Sequence, residues 1–198
     1  MSASGGAPRG GADVALHGAL HVALFRGINV GTAKAIAMPQ LAAVFQNLGY
    51  TGVRTLLRSG NVVFGATSDQ SGAAERIEAA VLAATGVRSS VLVLTATEFR
   101  AIAEANPLGG VTADASGSAA GSKTFITFLS EPHGTIEVPD AAALAPEVLR
   151  VGNSSVYQWM PDGSQQTKVP KSFWKQFSGH VTARNANTVR KLIELLDG

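Results

Sequence analysis

Val53-Arg54-Thr55-Leu56-Leu57-Arg58-Ser59-Gly60-Asn61-Val62-Val63-Phe64 decides the fold. It reads as two strands, Val53 to Leu57 and Asn61 to Phe64, joined through Ser59-Gly60 as a short hairpin-type connection. Upstream, Leu20 to Phe25 is short, apolar and stopped by Arg26-Gly27, a strand by its length. Between the two lies a helix. Pro39 takes its first-turn position, Leu41, Val44, Phe45 and Leu48 form its stripe, and Gly49 ends it. Downstream, Ser71 to Thr85 is a second helix with Ala74, Ile77, Val81 and Ala84 on one face and Gly86 as its stop. Ser90 to Leu94 is a fourth strand. Strand, helix, strand, strand, helix, strand is the split ferredoxin-like unit. It predicts one core holding Leu24, Val44, Leu48, Leu57, Val63, Ile77 and Val81.

The second half repeats the order less clearly. Thr97 to Ala105 reads as a helix ending before Asn106-Pro107. Leu108 to Ser122 is Gly, Ala and Ser with almost no large apolar residue, and reads as an exposed, mobile loop. Lys123 to Leu129 is a strand, Ala141 to Leu144 one helical turn, and Glu147 to Val151 with Ser155 to Met160 a hairpin around Gly152-Asn153. Lys171 to Phe177 is a short helix, and Asn185 to Leu196 the last one. No fourth strand is visible. The expected fold is α+β: two ferredoxin-like α/β sandwich halves, the second incomplete, plus a C-terminal helix. Its divisions are a flexible tail at 1–18, the N-terminal half at 19–106, a loop at 107–122 and the C-terminal half at 123–198.

Composition excludes several classes. The 198 residues are 45% hydrophobic and 15% charged, which is no disordered, charge-dominated chain. A net charge of +2 does not mark a strongly basic nucleic-acid binder. With no cysteine there is no disulfide framework, thiolate nucleophile or cysteine metal site. No apolar run approaches the ~20 residues that span a bilayer. The tail lacks the apolar core of a signal peptide. The expectation is a cytoplasmic protein with no membrane partner.

The polar residues of the ordered segments are mostly donors at strand ends and turns. Arg26-Gly27-Ile28-Asn29-Val30-Gly31 leaves the first strand, and Arg58-Ser59-Gly60-Asn61 joins the second to the third. Such backbones can turn amides toward an anion, and Arg can bind phosphate through two parallel bonds. Gly and Asn are also the usual turn residues, so a purely structural account stands beside this one. The topology brings the end of the first strand beside the start of the third, so Arg26, Asn29, Ser59 and Asn61 should lie close together. Arg184 and Asn185 stand where the last helix begins, and helix N-termini favour anions. Asn185 is equally a good N-cap. Lys168, after the Pro161-Asp162-Gly163 turn, can reach the same face. The candidate ligand-binding set is Arg26, Asn29, Arg58, Ser59, Asn61, Lys168, Arg184 and Asn185. His17, His21, His133 and His180 lack metal-ligand spacing, and no paired carboxylate suggests acid/base work. No catalytic residue, metal or cofactor is assigned. Trp174 with Lys171 and Lys175 is the one aromatic-basic cluster.

Ala23 to Gly31, Met38-Pro39, Leu48-Gly49-Tyr50, Val53-Arg54-Thr55 and Arg58 to Phe64 together resemble the bacterial family catalogued as domain of unknown function 1697. Asn106-Pro107, Tyr157 to Gly163, Thr182 to Asn185, Asn187 to Val189 and Lys191-Leu192 extend the resemblance from about Leu20 to Leu196. It implies two ferredoxin-like halves and no established activity, so no catalytic residue carries over. This chain has Ala186 where the family usually has Trp, Arg58 where it commonly has Gln, and Thr167-Lys168 where it usually has Ser-Lys.

Three functions fit these residues. One is a binding module for a phosphate-bearing ligand, a nucleotide or a nucleic acid. Another is an enzyme on a phosphorylated or acyl small molecule. The last is a structural or oligomerisation protein without a ligand. Oligomeric state is not legible.

Overall fold

A computed structural model describes residues 18–29, 35–67, 70–110 and 118–198. They form an α+β fold with two four-stranded antiparallel sheets. The N-terminal half runs β1 (Ala19–Arg26), α1 (Met38–Asn47), β2 (Thr51–Leu56), β3 (Asn61–Ala66), α2 (Ala73–Thr85) and β4 (Ser90–Thr95), with strand order β2-β3-β1-β4. β4 passes directly into α3 (Ala96–Glu104). Thr95 and Glu98 close a capping box there, each side chain satisfying the other's backbone N–H.

The C-terminal half runs α4 (Ser118–Lys123), β5 (Thr124–Leu129), α5 (Ala141–Leu144), β6 (Val148–Val151), β7 (Ser155–Trp159), α6 (Lys171–Trp174), β8 (Val181–Asn185) and α7 (Ala186–Asp197). Its strand order is β6-β7-β5-β8, the same arrangement as in the first sheet. The second sheet is therefore complete, contrary to the sequence expectation. β8 pairs with β5 from Phe125↔Asn185 to Leu129↔Val181. Its buried positions hold Thr182 and Arg184, so the apolar alternation that marks a strand is missing.

Three apolar clusters hold the molecule. Alternate residues of a strand face opposite sides, and the N-terminal sheet is buried on both. Phe25, Val62 and Phe64 face α1 and α2, where Val44, Phe45, Ile77 and Val81 pack. Val22, Leu24 and Val63 face the other way, into a central cluster with Ile126, Phe128, Val189 and Leu192. This corrects the expectation of one N-terminal core: Leu24 and Val63 belong to the layer between the halves. Leu57 leaves the core altogether. It is 48% exposed, at a left-handed φ of 57° in the β2–β3 turn. The same turn needs Gly60, at φ 77°, where an added Cβ would stand 2.7 Å from Phe25 Cβ.

The central layer also takes Leu108, from a 3₁₀ turn at Pro107–Gly110. Leu108 is 1% exposed, and α4 covers 118–123, so the exposed-loop expectation fails at both ends of that stretch. Residues 111–117, and the expected tail up to 17, lie outside the described residues. Phe99 of α3 stacks on Phe128 of β5 at 5.2 Å and 9°. The Tyr157 hydroxyl donates to the Ile102 carbonyl at 2.8 Å, tying β7 to α3.

The outer faces of the two sheets differ. α1 and α2 have 10 and 13 residues and cover the N-terminal sheet. α5 and α6 have 4 each. One helical turn spans about 5.4 Å, so these cannot cover a four-stranded sheet. Part of the outer face of the C-terminal sheet is left open.

Candidate functional site

That opening is a cleft of about 600 Å³. Phe125, Thr127, Gln158 and Ala183 of the C-terminal sheet form its floor, sharing a face by the register Phe125↔Gln158 and Thr127↔Ala183. Trp174 and Phe177 line it on one side. Phe25 to Ile28 and Ser59, from the N-terminal half, line it on another. The charged residues lining it are Arg26 and Arg184; no Asp or Glu does so among the described residues.

Arg184 is 8% exposed, and all five of its N–H groups are directed at neutral acceptors. Nε donates to Asn61 Oδ1. Nη1 donates to Thr182 Oγ1 at 2.9 Å and the Ala183 carbonyl at 2.8 Å. Nη2 donates to the carbonyls of Phe25 at 2.6 Å and Gly60 at 3.2 Å. The residue stitches β8 to the strand ends of the other half. Burial lowers its guanidinium to about 10, which leaves it charged at neutral pH. It sits on β8, not at a helix start as expected.

Asn61 is fully buried, and its Nδ2 donates to the Leu56 carbonyl at 2.8 Å and Ser59 Oγ at 3.2 Å. Asn29, at a left-handed φ of 54°, closes its own loop. Its Oδ1 accepts from Ile36 N–H at 2.7 Å, and its Nδ2 donates to the Arg58 carbonyl at 2.5 Å. Arg26 is exposed, with Nη1 3.3 Å from the Val181 carbonyl. The loops after β1 and before β3 do meet, and Arg26, Ser59 and Arg184 share the cleft. The other candidates do not line it. Asn29 and Asn61 hold the loops. The exposed Arg58 projects from the turn. Lys168 Nζ donates to the Ala145 carbonyl. Asn185 caps α7, its Oδ1 accepting from Thr188 N–H at 2.9 Å, so that helix end is already served. Val30 and Gly31 lie outside the described residues.

Sequence reading missed Gln158, Thr127 and Phe125 on the cleft floor. The available signal was helix length: two one-turn helices in the second half leave strand residues uncovered. A second cleft, about 500 Å³, carries Glu75, Glu98, Glu131, His21 and His180. Among the described residues no three His, Asp or Glu gather to hold a metal ion.

His133 sits behind Phe177, ring edge to face at 5.5 Å and 89°. Both its nitrogens face carbonyls, Nε2 to Gly152 at 2.7 Å and Nδ1 to Gly134 at 2.9 Å. Only the imidazolium donates to both, and these two bonds, Gly152 first, raise its pKa above 6.5. A raised folded-state pKa means stability present below the unfolded value and lost as pH rises through the folded one. Wild type is expected to melt higher than His133→Gln at pH 5, with the gap gone by pH 9. A gap unchanged across that range in scanning calorimetry would refute the charge dependence.

No helix among the described residues is long and apolar enough to cross a membrane. No curated protein matches the chain. A solved structure, that of a conserved bacterial protein from Streptococcus pneumoniae, is similar over 91% of this chain and 99% of its own, at 23% identity and a TM-score of 0.66. That likeness supports the fold. Residues 19–157 match the family described as a protein of unknown function, DUF1697, and the chain belongs to that family.

Proposed function

We propose that the protein is a binding module for a small phosphate-bearing ligand held in the cleft between its halves. The observation that carries this is the cleft's charge: among the described residues Arg26 and Arg184 line it and no Asp or Glu does, the carboxylate behind its floor, Glu147, being engaged by Gln158, Thr167 and the Lys168 backbone N–H. The described ion pairs lie elsewhere, at Arg100–Asp197, His180–Glu78 and Arg190–Glu194. Arg184 has spent its donors, so it contributes positive potential from a desolvated position, where charge is poorly screened. Arg26 is the hand that can reach the anion, with the Ser59 hydroxyl beside the same opening. A volume of about 600 Å³ falls inside the range of small-molecule sites, about 300–1,000 Å³.

In this reading each half, 19–106 and 123–198, is a ferredoxin-like unit. The shared strand order supports that, with the second unit's helices cut short. A phosphate-bearing small-molecule ligand suits a cytoplasmic protein.

The test is a thermal shift with ribose 5-phosphate, nucleoside monophosphates and inorganic phosphate. At 100 times Kd, binding stabilises by about 2.7 kcal/mol. At about 2–4 °C per kcal/mol for a chain of this size, the midpoint rises by about 5–10 °C. Arg26→Ala is expected to lose at least half of that rise, and 0.5 M salt to reduce it further. A rise equal in wild type and variant, or none with any probe, ends the reading.

A further inference from the structure

The cleft floor carries a polar group whose hydrogen bonding is committed on one side. Gln158 is 5% exposed and lines the cleft. Its Nε2 donates to Glu147 Oε1 at 3.0 Å and lies 3.8 Å from Met160 Sδ. A carboxylate accepts and does not donate, so the amide nitrogen faces Glu147 and the carbonyl oxygen is turned the other way. Glu147 is itself fixed. Its Oε1 also accepts from the Thr167 hydroxyl at 2.7 Å, and its Oε2 from the Lys168 backbone N–H at 2.8 Å. None of the described hydrogen bonds uses Gln158 Oε1. That oxygen is not sealed off, as the buried unpaired Trp159 Nε1 is; it opens on the cleft, where a ligand N–H can take the place of water.

The same cleft carries aromatic rings alongside the hydroxyls of Thr127, Ser164 and Thr167. Phe125 is Gln158's cross-strand partner on β5, and Trp174 and Phe177 line the same cleft. Aromatic faces with one fixed acceptor suit a heterocycle that presents an N–H; Arg26 at the rim suits its anionic end.

We propose that Gln158 reads the neutral end of the ligand, accepting an N–H from a flat heterocycle set against Phe125, Trp174 and Phe177, which makes the ligand a nucleoside monophosphate. This rests on the cleft reading above. Glu147 is a positioning residue: it dictates which end of the Gln158 amide the ligand meets. A site built around such an acceptor discriminates against a molecule that lacks the donor.

Titration calorimetry with AMP, GMP, CMP, UMP and ribose 5-phosphate tests this on the full chain. At least one nucleotide is expected to bind about tenfold or more tightly than ribose 5-phosphate. Gln158→Leu is expected to remove that preference while leaving ribose 5-phosphate affinity within about twofold. Glu147→Gln can donate to the Gln158 oxygen and turn the amide over, so it too is expected to lose the preference. It carries the test if Gln158→Leu does not fold. Ribose 5-phosphate binding that depends on Arg26, with no nucleotide preferred, overturns the Gln158 proposal and leaves the cleft reading standing. A preference that survives in the folded variants also overturns it. Tighter binding of single-stranded oligonucleotides than of every mononucleotide overturns the ligand class. Binding of none of the probes sinks both readings.

Discussion

Arg184→Ala is expected to lower the melting midpoint by about 6–12 °C. Asn61 Oδ1, Thr182 Oγ1 and the Phe25 carbonyl all accept from this one guanidinium at buried positions, whereas the Gly60 carbonyl keeps the Phe25 N–H at 2.8 Å. Each buried acceptor left without a donor costs about 1 kcal/mol or more, so about 3 kcal/mol is the floor. At about 2–4 °C per kcal/mol the stated range follows. Lys offers three donors from a point where Arg offers five in a plane, so Arg184→Lys recovers a fraction only. Far-UV circular dichroism against temperature reads both variants. A shift under 2 °C for the Ala variant would mean that neighbouring groups or water re-serve those acceptors, and the clasp would lose its energetic role.

Phe128→Ala is expected to cost about 3–5 kcal/mol, by cavity formation in the layer that both halves share. Phe128 is fully buried and stacked on Phe99, so one side of the cavity is strand β5 and the other is helix α3 of the opposite half. Both tryptophans, Trp159 and Trp174, lie in the C-terminal half. Their fluorescence reports that half, while circular dichroism reports the whole chain. In wild type and in Phe128→Ala the two signals should melt together, the variant lower by about 6–20 °C. Fluorescence melting ahead of circular dichroism in the wild type would show the halves unfolding separately and contradict a shared core.

The N-terminal half was legible because its boundaries are punctuated. Gly49 and Gly86 end helices in left-handed conformations, Pro39 opens one, and the Ile77–Val81 spacing set the buried face of α2. The sidedness of the sheet was not legible. A strand buried on both faces shows a continuous apolar run, so nothing in Leu20 to Phe25 distinguishes Leu24 from Phe25. β8 was hidden for the opposite reason. Its inward residues are polar because their partners, Asn61 and the Phe25 carbonyl, arrive from the other half, more than 100 residues earlier. The candidate site was half visible. Topology brought Arg26 and Ser59 together, whereas Arg184 reached the cleft by strand pairing. Gln158 could not have been singled out: a lone Gln on a strand carries no pattern, and Glu147 lies across a hairpin.

The unequal helix lengths bear on what this architecture can become. The halves are joined through the middle layer, where α3 and α7 touch each other and the sheets beside them. The outer face of the C-terminal sheet takes no part in that junction. Lengthening or shortening α6, which brings Trp174 to the cleft, therefore reshapes a cavity without disconnecting the molecule, while the same changes in α3 or α7 would separate the halves. Variation in ligand size among proteins of this architecture should be concentrated in the segment 160–180, which supplies Met160, Ser164, Thr167, Trp174, Phe177 and Gly179 to the cleft.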